Sequence, residues 1–213
     1  MDERAQGIVL RVYPLTETSL IIRWLTPQFG RIATVAKGAR RPKSAFHGKL
    51  DLFYLADFMF RRSQRSELHP LREVSLIETH GILRRELAYL QQACYCAALV
   101  EQATEIETPI PAIFRLMKGL LNCLNAQPSG SHLIFAFELK LLNELGLKPD
   151  LAKSRLTAGA KQIVLTLADS DWAAFRGLKL STQQAVELRQ FLHGYLIFHL
   201  GKIPISRSAA LQL

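Results

Sequence analysis

The feature that most constrains this chain is a change of hydrophobic period near residue 80. Before it, apolar residues alternate or cluster in short runs, as in strands; after it, they recur every three to four residues, as in helices. The first 80 residues read as five strands. Gln6–Val12 is rich in Ile, Val and Leu, and Ser19–Thr26 is β-branched and aromatic. Arg31–Lys37 alternates, Leu50–Arg62 carries Phe53, Tyr54, Phe58 and Phe60, and Leu71–Thr79 is the fifth. Pro27-Gln28-Phe29-Gly30 punctuates the second and third. Five short strands with no helical pattern between them fit a small closed sheet. A five-stranded Greek-key barrel of the OB type has that count and leaves no open edge.

The second half reads as a helical domain. Leu83, Leu87, Leu90, Cys94, Ala97 and Ala98 have helical spacing. Thr108 before Pro109 predicts a capped helix start, with Ile110, Ile113, Phe114, Met117, Leu120, Leu121 and Leu124 as its stripe. Ser131 is placed to cap a third helix that ends before Gly146. Ser181 with Gln184 forms a capping box for a fourth. Leu147–Gly177 reads as irregular, with Lys161–Ala168 a strand candidate. The expectation is therefore an α+β chain: an OB-fold barrel over residues 1–80, then a helical domain over 81–213 with 147–177 irregular.

At 213 residues and 49% hydrophobic composition, the chain can bury a real core. No apolar run reaches the ~18–20 residues of a membrane helix. The N-terminus is polar, without a basic segment followed by an apolar core, which excludes a secretory signal. The three cysteines, Cys94, Cys96 and Cys123, suit a reducing compartment rather than a disulfide framework. These features point to the cytoplasm.

Catalytic motifs are missing from the sequence. It contains no G-x-S-x-G elbow, no H-E-x-x-H and no Walker loop. His193 and His199 lie six apart on one helix and point to separate faces. Cys94 and Cys96, two apart on a helix, also diverge, and no second pair completes a zinc set. The expectation is a non-enzyme without metal or cofactor.

Charge is the informative signal. The net charge is +9. Between Arg31 and Arg65, nine basic residues face only Asp51 and Asp57, so this window holds +7 of the total. Within it, Lys37-Gly38-Ala39-Arg40-Arg41-Pro42-Lys43 reads as a flexible basic loop leaving a strand, and Arg61-Arg62-Ser63-Gln64-Arg65 ends another. A charge run is usually just a solvated face. Two such clusters on strands that also carry aromatics favour a polyanion ligand instead. The phosphate-contact candidates are Arg31, Lys37, Arg40, Arg41, Lys43, Arg61, Arg62 and Arg65. Phe29 and Tyr54 are weak base-stacking candidates; Phe53, Phe58 and Phe60 suit a barrel core.

Several motifs carry a resemblance. Gly7-Ile-Val-Leu10, Leu15-Thr-Glu-Thr-Ser-Leu20, Leu25-Thr26 with Phe29-Gly30, and Val35-Ala-Lys-Gly-Ala-Arg-Arg41 with Lys43-Ser44 follow one another. Later come Phe137-Glu138-Leu139, Leu142, Leu145-Gly146-Leu147 and Pro149-Asp150-Leu151, then Tyr195, His199-Leu200-Gly201 and Ile205-Ser206-Arg207. In order and spacing the set resembles the RecO family of recombination mediators over nearly the whole chain.

The resemblance implies an OB-fold followed by a helical domain. It also implies binding of single- and double-stranded DNA and annealing of complementary strands. The implied partners are RecR and the single-stranded-DNA-binding protein, with loading of RecA as the outcome, at the bacterial nucleoid. The acidic, apolar-ended tail of the single-stranded-DNA-binding protein would suit a helical-domain groove, for which Arg115, Lys118 and Lys140 are candidates by charge. The sequence departs from the family where many members place four zinc-binding cysteines: Pro149–Gly159 contains none. An OB-fold RNA-binding or assembly-scaffold protein without annealing activity is the alternative reading.

Overall fold

The computed structural model describes residues 2–211. Five strands close into the expected barrel: β1 (Asp2–Pro14), β2 (Leu20–Thr26), β3 (Gly30–Ala36), β4 (Leu55–Arg61) and β5 (Leu68–Glu78), in the order β1-β2-β3-β5-β4. All neighbours are antiparallel except β3 and β5, which pair in parallel through Ala33–Leu68, Thr34–His69 and Val35–Pro70. Alternation sends Ile32, Thr34 and Ala36 of β3 inward. The barrel interior is built on Trp24, whose ring stacks on Phe58 at 4.1 Å and whose Nε1 donates to Thr34 Oγ1 at 2.8 Å. That bond satisfies the one polar atom such a ring brings into a core. Phe53, Phe58 and Phe60 are buried, as their core assignment requires.

β1 begins four residues before the alternating run, because Asp2–Gly7 pairs with β4. β4 begins at Leu55 rather than Leu50. The residues ahead of it are taken up in turns: Ser44 donates its N–H to Arg41, His47 to Ser44, and Lys49 to Phe46. Phe53 then adopts a left-handed φ of 63° and bonds back to Val9.

The described residues cluster into two compact units. One holds the residues up to His80 with Thr104–Arg115; the other holds Gly81–Ala103 with the residues from Leu116 onward. The chain thus returns once to the first unit, which the period change does not signal.

The second unit contains α1 (Leu87–Ala103), most of α2 (Pro111–Ala126), α3 (Ser131–Glu144), α4 (Ala158–Asp169), α5 (Thr182–Leu200) and α6 (Arg207–Ala210). α1 and α3 are buried on most sides; Leu87, expected inside, is exposed at the first turn. The Ser181–Gln184 capping box forms with both bonds. Gly146 ends α3 in a left-handed φ of 73°, with Gly146 N–H on Asn143 O and Leu147 N–H on Leu142 O, a Schellman arrangement.

Three sequence expectations fail. Thr108 does not cap α2, which starts at Pro111; its hydroxyl donates to Ile106 O instead. Ser131 is the first residue of α3 behind Gly130, and no side chain caps that end. Leu147–Gly177 is irregular only on either side of one α-helix, and Lys161–Ala168 is not a strand: it lies inside α4, capped by the Thr157 hydroxyl on Ala160 N–H. Its apolar residues Val164 and Leu167 sit three apart on one buried face, a spacing that a short run does not separate from strand alternation.

Glu138 on α3 is fully buried. Arg207 grips it bidentately, Nε to Oε1 at 2.7 Å and Nη2 to Oε2 at 2.9 Å, and Tyr95 donates its hydroxyl to Oε1 at 2.5 Å. Burial, with Glu138 beside it, pushes the Tyr95 phenol far up, so it stays a neutral donor. Removing one member strands the other charge in the core. Arg207→Met is expected to lower unfolding free energy by about 3–5 kcal/mol in a urea titration, whereas an exposed control such as Arg189→Met should shift it by under ~0.5 kcal/mol.

Candidate nucleic-acid interface

The register of β3 divides the basic window. Lys37–Lys43 leave the C-terminal end of β3. Arg31 lies at its N-terminal end, and the parallel pairing of Ala33 with Leu68 brings the residues just before β5, Arg65 among them, to that same end. A seven-residue strand separates the two clusters by about 20 Å. What reads in the sequence as one patch is two poles.

At the first pole the chain is not a loose loop. Gly38 takes a left-handed φ of 69°, Arg41 N–H bonds Gly38 O, and Arg40 N–H bonds Thr18 O at 3.0 Å. Thr16 Oγ1 accepts from the N–H groups of Thr18 and Ser19, and Ser19 Oγ from Gly38 N–H. These bonds tie the Leu15–Ser19 turn to the basic segment. Between them runs a shallow groove of about 390 Å³ lined by Thr16, Thr18, Lys37, Gly38 and Arg41. Lys37, Arg40, Arg41 and Lys43 are exposed. Among the described residues, no carboxylate lies within ion-pair distance of these four. Four cations, hydroxyls and a fixed backbone make a surface suited to phosphate oxygens.

At the second pole, most of the cations already have partners. Arg61 Nε meets Asp2 at 3.0 Å and holds its carboxyl below the usual carboxylate range. Arg62 bonds Glu3 at 2.8 Å and Glu107 at 3.0 Å, lies over the Phe29 ring at 5.4 Å, and has its pKa raised chiefly by Glu3. Arg31 Nε donates to Thr104 Oγ1 at 2.8 Å and its Nη2 to Thr104 O. The Thr104–Thr108 segment is a strap along the start of β3: Ile106 bridges Arg31 in parallel, and Glu107 N–H bonds Arg31 O at 2.9 Å. Of the candidates here, Arg65 alone is both exposed and outside this bonding.

The stacking candidates are similarly engaged. Phe29 packs edge-on against Phe60 at 5.5 Å, and Tyr54 is half-buried against the barrel core. Sequence reasoning missed Thr104, Glu107, Glu3 and Asp2 as partners of the cations, and His69 as the second partner of Glu107. The cations' partners lie from 45 to 73 positions away along the chain, His69 and Glu107 are 38 apart, and no local spacing marks them.

The description "Recombination protein O N terminal" matches residues 1–80, and "Recombination protein O C terminal" matches 84–157. The chain belongs to the RecO family. The DNA repair protein RecO of Bacillus pumilus is 30% identical over 70% of this chain, and that of Exiguobacterium sibiricum 30% over 71%. The match spans 57% and 60% of those two proteins, under two thirds of their length. The DNA repair protein RecO of Anaeromyxobacter sp. strain K is 28% identical over 92% of this chain and 91% of its own. This RecO-family chain thus shares in a family of bacterial DNA repair proteins that carries an OB barrel. Among its described residues, no group of three or more His, Cys, Asp and Glu is placed to hold a metal ion, and no helix is long and apolar enough to cross a membrane.

The helical-domain candidates of this RecO-family chain divide as well. Lys140 is half-buried; its Nζ donates to Ala168 O at 3.0 Å and Ser170 O at 2.7 Å, which closes the C-terminal end of α4, and burial pushes its pKa down. There it acts as a helix-capping residue. Arg115 is exposed and Lys118 half-buried on α2.

The strap has a test of its own. A Cβ on Gly30, whose φ is 63°, would lie 1.9 Å from Thr108 O. Gly30→Ala is expected to cost about 1–3 kcal/mol and to speed amide exchange at Glu107. Arg31→Ala should likewise destabilise the barrel, while Arg40→Ala leaves its denaturation midpoint nearly unchanged.

Proposed function

We propose that this chain is a recombination mediator. It binds single- and double-stranded DNA, anneals complementary strands and, with RecR, helps load RecA onto DNA coated by the single-stranded-DNA-binding protein. The observation that carries this reading is the first pole: Lys37, Arg40, Arg41 and Lys43, exposed on one end of a closed barrel and fixed by the Thr16–Ser19 turn. Annealing requires two polyanions to approach each other, and a cationic surface lowers that repulsion and concentrates both strands. Phosphate contacts carry no base information, so the surface serves any sequence. Annealing makes and breaks no covalent bond, so it requires no cofactor. The place of action is the bacterial cytoplasm at the nucleoid.

The contact set is Lys37, Arg40, Arg41, Lys43 and Arg65. Five phosphate contacts on a single strand correspond to a log–log salt slope of about −3 to −4. Arg40→Ala with Arg41→Ala should flatten that slope by about 1.4 and weaken binding to unrelated oligonucleotides alike, as read by fluorescence anisotropy. Parent-like affinity in the double variant would reduce the pole to a solvated charge run.

For mediation, the acidic tail of the single-stranded-DNA-binding protein would meet the helical domain near Arg115 and Lys118. Annealing of complementary strands already coated with that protein tests both halves of the reading. The parent should anneal them, the Arg40/Arg41 double variant should be slow on bare and coated strands, and Lys118→Glu should be slow on coated strands alone. Equal rates for Lys118→Glu and parent on coated DNA would remove Lys118 from the partner site.

A further inference from the structure

The second pole contains an anion site already filled from within the chain. The Ser63 N–H donates to His69 Nδ1 at 3.2 Å, which makes that nitrogen an acceptor and leaves the proton on Nε2. His69 Nε2 then donates to Glu107 Oε1 at 3.1 Å, while Arg62 Nη1 donates to Glu107 Oε2 at 3.0 Å. Both donors are held before any anion arrives. His69 is 1% exposed and its ring stacks on Phe60 at 5.3 Å, and Arg62 is fixed through Nε by Glu3 and by the Phe29 ring. Two convergent donors, one cationic, each on one oxygen of a single carboxylate, match the way a phosphate group is gripped.

The occupant is less settled than its donors. Glu107 sits at a left-handed φ of 51°, a conformation that L side chains rarely adopt, and its side chain is 35% exposed. A strained, half-exposed carboxylate on a strap is the kind of anion that an incoming one can displace.

We propose that Arg62 and His69 form a phosphate-binding site of the barrel, which Glu107 occupies when no nucleic acid is bound. The ligand is a backbone phosphodiester of a bound strand. The strap is thus a built-in competitor, and the second pole joins the DNA path once Glu107 swings out. This rests on the reading of the barrel as a nucleic-acid binder and adds a site to it.

The test is titration of an oligothymidylate across a salt series. Glu107→Gln should bind more tightly than the parent, by about fivefold near 0.1 M salt, with the log–log slope steeper by about 0.7, as one added phosphate contact requires. Adding Arg62→Gln should abolish that gain. Glu107→Asp, which keeps the charge but shortens the reach, should also tighten binding, whereas Glu105→Gln, which removes an equal charge two residues away, should do so less than Glu107→Gln. Thermal unfolding confirms that each variant is folded. If Glu107→Gln fails to fold, Glu107→Asp with and without Arg62→Gln makes the same comparison. The site is overturned if Glu107→Gln gains no more than Glu105→Gln, or if its gain survives Arg62→Gln. When the parent binds and Arg40→Ala with Arg41→Ala weakens it, such a result sinks this site alone. If neither parent nor variants bind at low salt, the nucleic-acid reading of the barrel falls and takes the site with it.

Discussion

The barrel depends on one short seam, the parallel pairing of β3 with β5. It comprises three registered residue pairs and, among the five described strands, it is the parallel pairing of an otherwise antiparallel barrel. Without it β3 and β5 would be open edges, liable to pair with other chains. The seam also decides where charge goes. Because β5 runs in the same direction as β3, the segment that leads into it must arrive at the N-terminal end of β3 and not beside its exit. Arg61–Arg65 and Lys37–Lys43, neighbours in a sequence window, are thereby sent to opposite ends. The same register buries His69 opposite Thr34, within reach of Ser63 and Glu107.

The two poles carry similar numbers of cations and differ in what neutralises them. The Arg61–Asp2 pair is half-exposed on its arginine side, and such a pair contributes little stability, at most about 1 kcal/mol. Its electrostatic effect is larger than its energetic one. A paired charge is close to a dipole, and its field fades within the ~8–10 Å that salt already screens. Arg62, between Glu3 and Glu107, is compensated more fully. If the barrel binds a polyanion as proposed, the Lys37–Lys43 end would draw it first; at the other end Arg65 is exposed while Arg31, Arg61 and Arg62 are held by their partners. Counting basic residues along the sequence overstates the cationic surface, since pairing removes charge without removing residues.

Legibility followed the range of the interactions. The closed five-stranded barrel, the helical second half, the Ser181–Gln184 box and the Gly146 stop are written in nearby residues, through alternation, helical spacing and cap chemistry. Lys37, Arg40, Arg41 and Lys43 were equally readable, because a loop that leaves a strand keeps its charges outside. Arg31 was not. It looks like its neighbours in the sequence, yet its partner, Thr104, is 73 residues away, and only the fold reveals that it holds a strap. Lys140 misleads similarly: on a helical wheel it is a solvent-facing cation, and in the structure it closes the end of a helix that sequence periodicity did not identify. The false strand at Lys161–Ala168 comes from the ambiguity of a short apolar run, and the misplaced caps at Thr108 and Ser131 have a different cause. Cap chemistry proposes several starts, and which of them is used depends on whether the backbone around it has other partners, as the strap has in β3.

The stretch without cysteines shows how a segment can be held when four thiolates are not there to hold it. α4 is fastened at both ends by side chains: Thr157 caps its first turn, with Glu187 of α5 bonded to the Thr157 hydroxyl and N–H, and Lys140 of α3 takes the carbonyls of Ala168 and Ser170 at its last. Beyond it, Trp172 settles against Gly119, where a Cβ would lie 2.3 Å from its Nε1, so the absence of a side chain on α2 is what admits the indole. Further along, Arg207 reaches Glu138 in the core and joins the end of the described chain to α3. Each fastening is individually modest except the buried ion pair, whose loss leaves a charge without water. Together they tie α4, α5 and the C-terminal helix to α3, and α3 carries the acceptor of the strongest of them. Glu138 and Arg207, 69 positions apart in the sequence, are one interaction in the fold.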